Sequence, residues 1–235
     1  FDPKMKQVAF YAYYDDVVGP EDEEQSGHVI VESHPKGWCW YIPVESEGLG
    51  EVSVGIISGQ EFKEEYSKMG PEAFFESCID DLPYLKKMLG PKAKRVSKVD
   101  SITDWAYSCD RMAGDGFILA GDAACFLDPL LSTGVSMAML AGYSAAVTVN
   151  TIFKEPEVET EALEFYGGNY QRMWDVTRDF LHYFYAGNAS AYPEDMFWKA
   201  RSTLRLGDNV GARQAFCFLV NTIPGNPHPA LRKQI

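Results

Sequence analysis

GDAACFLDPLLSTG, residues 121–134, decides how this chain is read. The apolar run Phe117-Ile118-Leu119-Ala120 has the character of a strand and leads straight into Gly121-Asp122, and a charge-free helix opens at Gly134. Gly121 lets the backbone come close to a ligand at the strand end. The Asp122 carboxylate can accept a hydrogen bond from a ligand hydroxyl. The Ser132-Thr133-Gly134 turn aims free backbone N–H groups and the positive end of a helix dipole into the same space. That arrangement suits a cofactor with a sugar-like chain and a ring that becomes anionic. It also serves as an ordinary strand-to-helix turn in an α/β core.

The chain has 235 residues, 46% of them hydrophobic, enough to bury a large core in one or two domains. Its formal net charge of −13 argues against neutralising phosphates, so nucleic-acid binding is not expected. The charge is uneven. From Met196 onward Lys199, Arg201, Arg205, Arg213, Arg232 and Lys233 face one acid, Asp208. This is either a solvated basic helix face or a docking surface for an acidic partner. Five cysteines (Cys39, Cys78, Cys109, Cys125, Cys217) without a Cys-x-x-Cys pair suit buried thiols in a reduced, cytoplasmic protein. Neither they nor the four scattered histidines have metal-ligand spacing. No stretch reads as a signal peptide. The longest charge-free run, 129–153, carries Ser132, Thr133, Ser136, Ser144, Thr148 and Asn150, so a helix buried inside the protein is expected rather than a membrane span. The start at Phe1-Asp2-Pro3, without Met, suggests part of something longer.

Strands are expected over 6–14, 28–32, 38–42 and 51–57, with short links that favour an antiparallel or mixed sheet. Helices follow over 61–68 and 71–89, broken near Pro83, then short strands over 96–99, 105–109 and 117–120. A further helix over 160–185 is marked by Leu163, Tyr166, Tyr170, Trp174, Thr177 and Leu181, and two more are expected over 196–206 and 209–221. The fold class is α/β (α+β). A sheet-rich first part (1–100) precedes a cofactor-binding core segment (101–154) and a helical C-terminal part (155–235). Aromatics crowd the last part, as core or as walls for a planar substrate.

Two stretches together resemble the flavin-dependent halogenases, within the larger class of FAD monooxygenases. Gly121 to Gly134 is similar to that class's second FAD-binding motif. Gly37-Trp38-Cys39-Trp40-Tyr41-Ile42-Pro43 matches the more specific W-x-W-x-I-P signature of the halogenases. Taken alone, the two indoles share one face of a strand and could simply be core. The similarity extends over most of the chain, including Phe197-Trp198-Lys199-Ala200-Arg201.

The resemblance implies an FAD-monooxygenase-like fold, incomplete here. It also implies an enzyme of secondary metabolite biosynthesis, such as antibiotic biosynthesis. Such an enzyme takes reduced FAD from a flavin reductase and uses oxygen to oxidise chloride or bromide. The resulting hypohalous acid halogenates an electron-rich aromatic or carrier-tethered small molecule. Carried over, Gly121, Asp122, Ala123, Pro129, Gly134 and Val135 would bind FAD, with Asp122 on the ribityl chain. Ser132, Thr133 and Gly134 would hold the halide, and Trp38 and Trp40 would partition flavin from substrate. There are two departures. Gly48-Leu49-Gly50 and Gly114-Asp115-Gly116 are not a Gly-x-Gly-x-x-Gly motif, so that dinucleotide-binding part and the family's catalytic lysine are expected upstream of Phe1. The glutamate that tryptophan halogenases carry two positions before the halide-loop Thr is Leu131 here, which implies the branch acting on phenols, pyrroles or carrier-bound substrates. A hydroxylase or reductase of the same fold would need Asp122 but not the paired tryptophans. A non-catalytic ligand-binding module would need neither.

Overall fold

The computed structural model describes residues 2, 5–22, 27–46 and 50–202. Two compact units emerge: Met5–Asp104 with Asn188–Ser202, and Trp105–Gly187 with Asp2. The expected helix at 209–221, the end of the one at 196–206, Cys217, and the basic residues beyond Arg201 lie outside the described residues.

The first unit is built on an antiparallel sheet of β1 (Gln7–Asp15), β2 (Ile30–His34), β3 (Gly37–Ser46), β4 (Gly50–Gly59), β5 (Lys94–Arg95) and β6 (Asp100–Thr103). The strand order is β2-β3-β4-β1-β5, with β6 also pairing β1. The two-residue side-chain period sorts its faces. Val8, Phe10, Ala12 and Tyr14 of β1, Cys39 and Tyr41 of β3, and Val52, Val54 and Ile56 of β4 form one core with α2 (Pro71–Asp80) and α3 (Pro83–Leu89), which follow α1 (Lys63–Met69). Each of α2 and α3 opens on a proline, which has no N–H to leave unpaired. At α3 the next two N–H groups, of Tyr84 and Leu85, donate to the Glu32 carboxylate at 3.2 and 2.8 Å. The expected break near Pro83 is therefore present, with β2 capping the second half.

The opposite face carries Trp38 and Trp40, their ring centroids 6.2 Å apart. Trp40 and Tyr11 both pair with Gly55. A Cβ on Gly55 would lie 2.1 Å from Trp40 Cζ2, so the missing side chain is what lets the indole lie across the sheet towards Tyr11. Trp40 Nε1 donates to Ser53 Oγ at 3.2 Å. Trp38 is 1% exposed and belongs to the interior, whereas Trp40 keeps part of its surface free. The short α6 (Met196–Arg201) adds to this unit, its Trp198 indole donating to the His34 carbonyl at 3.1 Å. Buried Arg201 bonds Glu61 and the Phe197 carbonyl, each at 2.7 Å, with its guanidinium 3.6 Å over the Phe197 ring. Phe197, Trp198 and Arg201 are thus core while Lys199 and Ala200 are exposed, and Arg201 is no part of a basic docking face.

The second unit holds two ribbons, β7 (Tyr107–Ser108) with β10 (Cys125–Phe126) and β8 (Ala113–Gly114) with β9 (Phe117–Ile118), and two long helices, α4 (Gly134–Lys154) and α5 (Glu159–Ala191). The strands at 105–109 and 117–120 are shorter than expected. Beyond Ile118 the backbone finds other partners, Leu119 N–H donating to Met112 O at 2.8 Å and Leu119 O accepting from the Tyr166 hydroxyl at 2.7 Å. The apolar helix expected to lie inside the protein is covered along one narrow face within this chain. Only Met137 and Ala141 of α4 are buried, while Val135, Met139 and Tyr143 are 73%, 71% and 72% exposed. Composition reported the apolarity of this helix correctly but could not say how many of its faces meet protein. Among the described residues α4 is the one helix long and apolar enough to cross a membrane.

Two outcomes follow from the sheet unit. Gly55→Ala should cost about 1–3 kcal/mol by overpacking, read as a lower denaturant midpoint with shifted tryptophan emission; an unchanged midpoint and spectrum would refute the Trp40 contact. His34 is buried, its Nδ1 accepts from Lys36 N–H, and burial, helped by the Lys36 charge, lowers its pKa from 6.5 to about 4. Between those values the unfolded chain binds a proton that the folded chain does not, so stability present above pH 6.5 is lost as pH falls towards 4. The loss should be roughly 2–3 kcal/mol and absent in His34→Gln, as urea titrations across that range would read.

Candidate functional site

The site is built where β9 runs out. After Ile118 the chain makes one 3-10 turn, Gly121–Ala123, closed by Ala124 N–H on the Gly121 carbonyl at 2.9 Å. Gly121 has φ +59, and a Cβ there would also lie 3.1 Å from the Ala138 methyl on α4. Both facts demand glycine, one for the backbone and one for the close approach of the helix. The turn leaves Asp122 exposed while its main-chain carbonyl is held by the Tyr107 hydroxyl. Its carboxylate is free to serve as an acceptor towards solvent or a ligand.

The chain then returns through β10 to Asp128, buried at 3% exposure. Its Oδ1 accepts from Leu130 N–H at 2.9 Å, capping the Pro129–Leu131 turn, and its Oδ2 accepts from the Tyr185 hydroxyl at 3.2 Å. Ser132, at φ +51, reverses the chain into Thr133, the N-cap of α4. The Thr133 side chain makes no cap bond, and no acid sits in the first turn of this 21-residue helix. Its opening N–H groups therefore keep their pull on a negative ligand. A small slot of about 10 Å³ lies between Gly121, Phe126, Asp128, Thr133, Gly134 and Tyr170, room for about one water. A larger hollow of about 550 Å³, between residues 110–115 and 159–171, contains no residue of 121–134. The donor array marks the site better than volume does, since the loop brings the opening N–H groups of α4 and an exposed carboxylate together.

The sequence-derived set Gly121, Asp122, Ala123, Pro129, Ser132, Thr133, Gly134 and Val135 forms one continuous loop and helix start within the second unit. Trp38 and Trp40 lie in the sheet unit. Sequence reasoning missed Asp128, although an Asp before Pro129 is a cap-and-N1 pattern. It read Tyr166 and Tyr170 as markers of the helix and Trp174 also as core or a substrate wall, without their polar partners. Their polar tips turn back to the loop, Tyr170 to Gly121 O at 3.3 Å and Trp174 to Phe126 O at 3.4 Å. Cys125 behind the loop is buried and its thiol pushed up to about 11 by desolvation, so it stays a thiol rather than a nucleophile.

A family profile described as tryptophan halogenase matches residues 17–218. Among curated proteins the chain is 32% identical over 198 residues to a tryptophan 2-halogenase of Chondromyces crocatus, covering 84% of this chain and 37% of that one. It is 30% identical over 202 residues to the sulochrin halogenase of Aspergillus terreus, covering 81% and 36%. Among solved structures it superposes on CmlS, a flavin-dependent halogenase, with a TM-score of 0.78 at 26% identity, covering 94% of this chain and 38% of that one. The chain thus spans a little over a third of the length of these relatives.

Gly121→Ala should cost about 1–2 kcal/mol for the left-handed backbone alone, with the Ala138 contact added. Thermal melts of wild type and variant check it, and a melting temperature equal to wild type would mean that the turn tolerates a side chain.

Proposed function

The chain belongs to the tryptophan halogenase family, and from that we propose that it serves flavin-dependent halogenation of an electron-rich aromatic or carrier-tethered small molecule. The observation that carries the reading is the uncapped, acid-free start of α4 beside an exposed Asp122. A reduced flavin ring and a halide are both anions, and a helix N-terminus is the element that attracts such charge. FAD fits these residues: Asp122 supplies an acceptor for a ribityl hydroxyl, and Gly121, Ala123 and Pro129 bring backbone close. The N–H groups at Gly134 and Val135 face the developing negative charge. When bound, reduced FAD with oxygen supplies the oxidising equivalents that make the halogen electrophilic.

Ser132, Thr133 and Gly134 are assigned to the halide, and the small slot among Thr133, Gly134 and Tyr170 favours a monatomic ligand over a ring. Asp128 lines the same slot, with its carboxylate oxygens accepting from Leu130 N–H and the Tyr185 hydroxyl. Of the two indoles, buried Trp38 supports and partly exposed Trp40 presents a face to the substrate. The sheet unit then supplies substrate-facing residues and the 121–154 segment flavin-binding ones. Leu131, where an acid stands in tryptophan halogenases, favours the branch that acts on phenols, pyrroles or carrier-bound substrates. Lys199, exposed on α6, remains available to an acidic carrier, while Arg201 does not. The free thiols Cys39, Cys78, Cys109 and Cys125 suit a reducing, cytoplasmic setting, with a flavin reductase as electron source.

The decisive assay gives the intact protein reduced FAD, oxygen and an aromatic substrate, with and without chloride or bromide, and weighs the product. A halide-dependent mass increase is expected; oxygen insertion independent of halide would make it a hydroxylase instead. Trp40→Ala should lower halogenated product at least about tenfold with FAD absorbance retained, which about 1.4 kcal/mol of lost stabilisation produces.

A further inference from the structure

We infer that α5 is the positioning element for the ligand loop, with Tyr170 and Trp174 as the residues that set the direction of its peptide groups. The inference rests on the flavin and halide reading of residues 121–134. Four aromatic donors on α5 reach acceptors confined to residues 119–128. Tyr166 donates to Leu119 O at 2.7 Å, Tyr170 to Gly121 O at 3.3 Å, Trp174 to Phe126 O at 3.4 Å and Tyr185 to the Asp128 carboxylate at 3.2 Å. Residues 166, 170 and 174 stand on successive turns and 185 three turns further on, so one helix face carries all four.

Any buried phenol or indole seeks a partner, and scattered partners would signify only that. Here the acceptors, at 119, 121, 126 and 128, follow in chain order from the residue two before the ligand loop as far as its middle, and Tyr107 takes the Asp122 carbonyl from the side of β7. Peptide planarity gives this a directional meaning. In a trans peptide the C=O of one residue and the N–H of the next point opposite ways. Drawing the Gly121 carbonyl to Tyr170 turns the Asp122 N–H off the α5 face, and drawing the Phe126 carbonyl to Trp174 does the same for Leu127. The donors are themselves held. Arg178 sits 4.9 Å over the Trp174 ring, and Tyr166, Tyr170 and Trp174 are 3%, 4% and 6% exposed, which leaves water little access to replace them. Burial pushes the Tyr166 phenol up to about 12 and the Tyr170 phenol upward as well, so both remain protonated donors at neutral pH.

Tyr170→Phe and Trp174→Phe remove one donor each and keep a ring, and both are tested in the intact protein. Amide hydrogen exchange over 119–128 should quicken about tenfold, with β1–β4 unchanged, because the loop loses a shielded hydrogen bond that holds it to α5. Titrated FAD should bind about tenfold more weakly with an altered visible spectrum, and the chloride KM should rise, including in Trp174→Phe, whose ring lies outside the halide slot. Wild-type exchange in both variants overturns the inference. So does faster exchange with wild-type FAD affinity and chloride KM, which would leave only a structural role. If Tyr170→Phe does not fold, Trp174→Phe and Tyr185→Phe decide on the same readouts. Exchange needs no bound flavin: a wild-type protein that binds no FAD sinks the functional reading, and exchange alone then judges the positioning role.

Discussion

Gly121 is where strand, turn and helix are fastened to each other. Its backbone takes a conformation that costs an L-residue about 1–2 kcal/mol, and a methyl there would crowd the Ala138 methyl at 3.1 Å. From that contact the rest follows in order. The α4 helix is drawn against the turn, its first N–H groups open beside Asp122, and the loop between them must close through Asp128 and the left-handed Ser132. Gly134, where a Cβ would come 2.9 Å from the Phe126 ring, makes a second close approach of the same kind.

The sheet unit uses the same device for another end. Gly55 holds no ligand; its missing side chain is the bed on which the Trp40 indole lies, between β3 and β1. Three helices cover the other face, so the Trp40 and Tyr11 face owes its shape to what is absent from β4 as much as to the rings themselves. The α6 helix closes part of this unit with Trp198 and the Arg201–Glu61 pair.

Much of this was legible in the residues. The β-branched and aromatic content of 6–14 and 51–57 named two strands of the sheet, and Pro83 named the helix break. The Gly121 to Gly134 stretch announced a strand, a turn and a helix in the right places. What was hidden depends on partners distant in the chain. The early end of β9 reflects one hydrogen bond given to Met112 and one accepted from Tyr166, which no local pattern reports. An apolar stripe on α5 looks the same whether its tyrosine and tryptophan tips meet carbonyls or nothing. The Trp38–Trp40 pair reads as equivalent in sequence, yet one indole is interior and the other is partly exposed.

The exposed flank of α4 has a practical side. Val135, Met139, Tyr143 and Val147 recur every fourth residue and form a greasy strip along the helix, with Phe153 at its end. A strip of that kind adheres to hydrophobic resin and to its own copies in concentrated solution. Purification of these 235 residues is best begun with a mild detergent or a solubilising fusion, and dye binding by the naked strip gives a simple gauge of whether it has been covered.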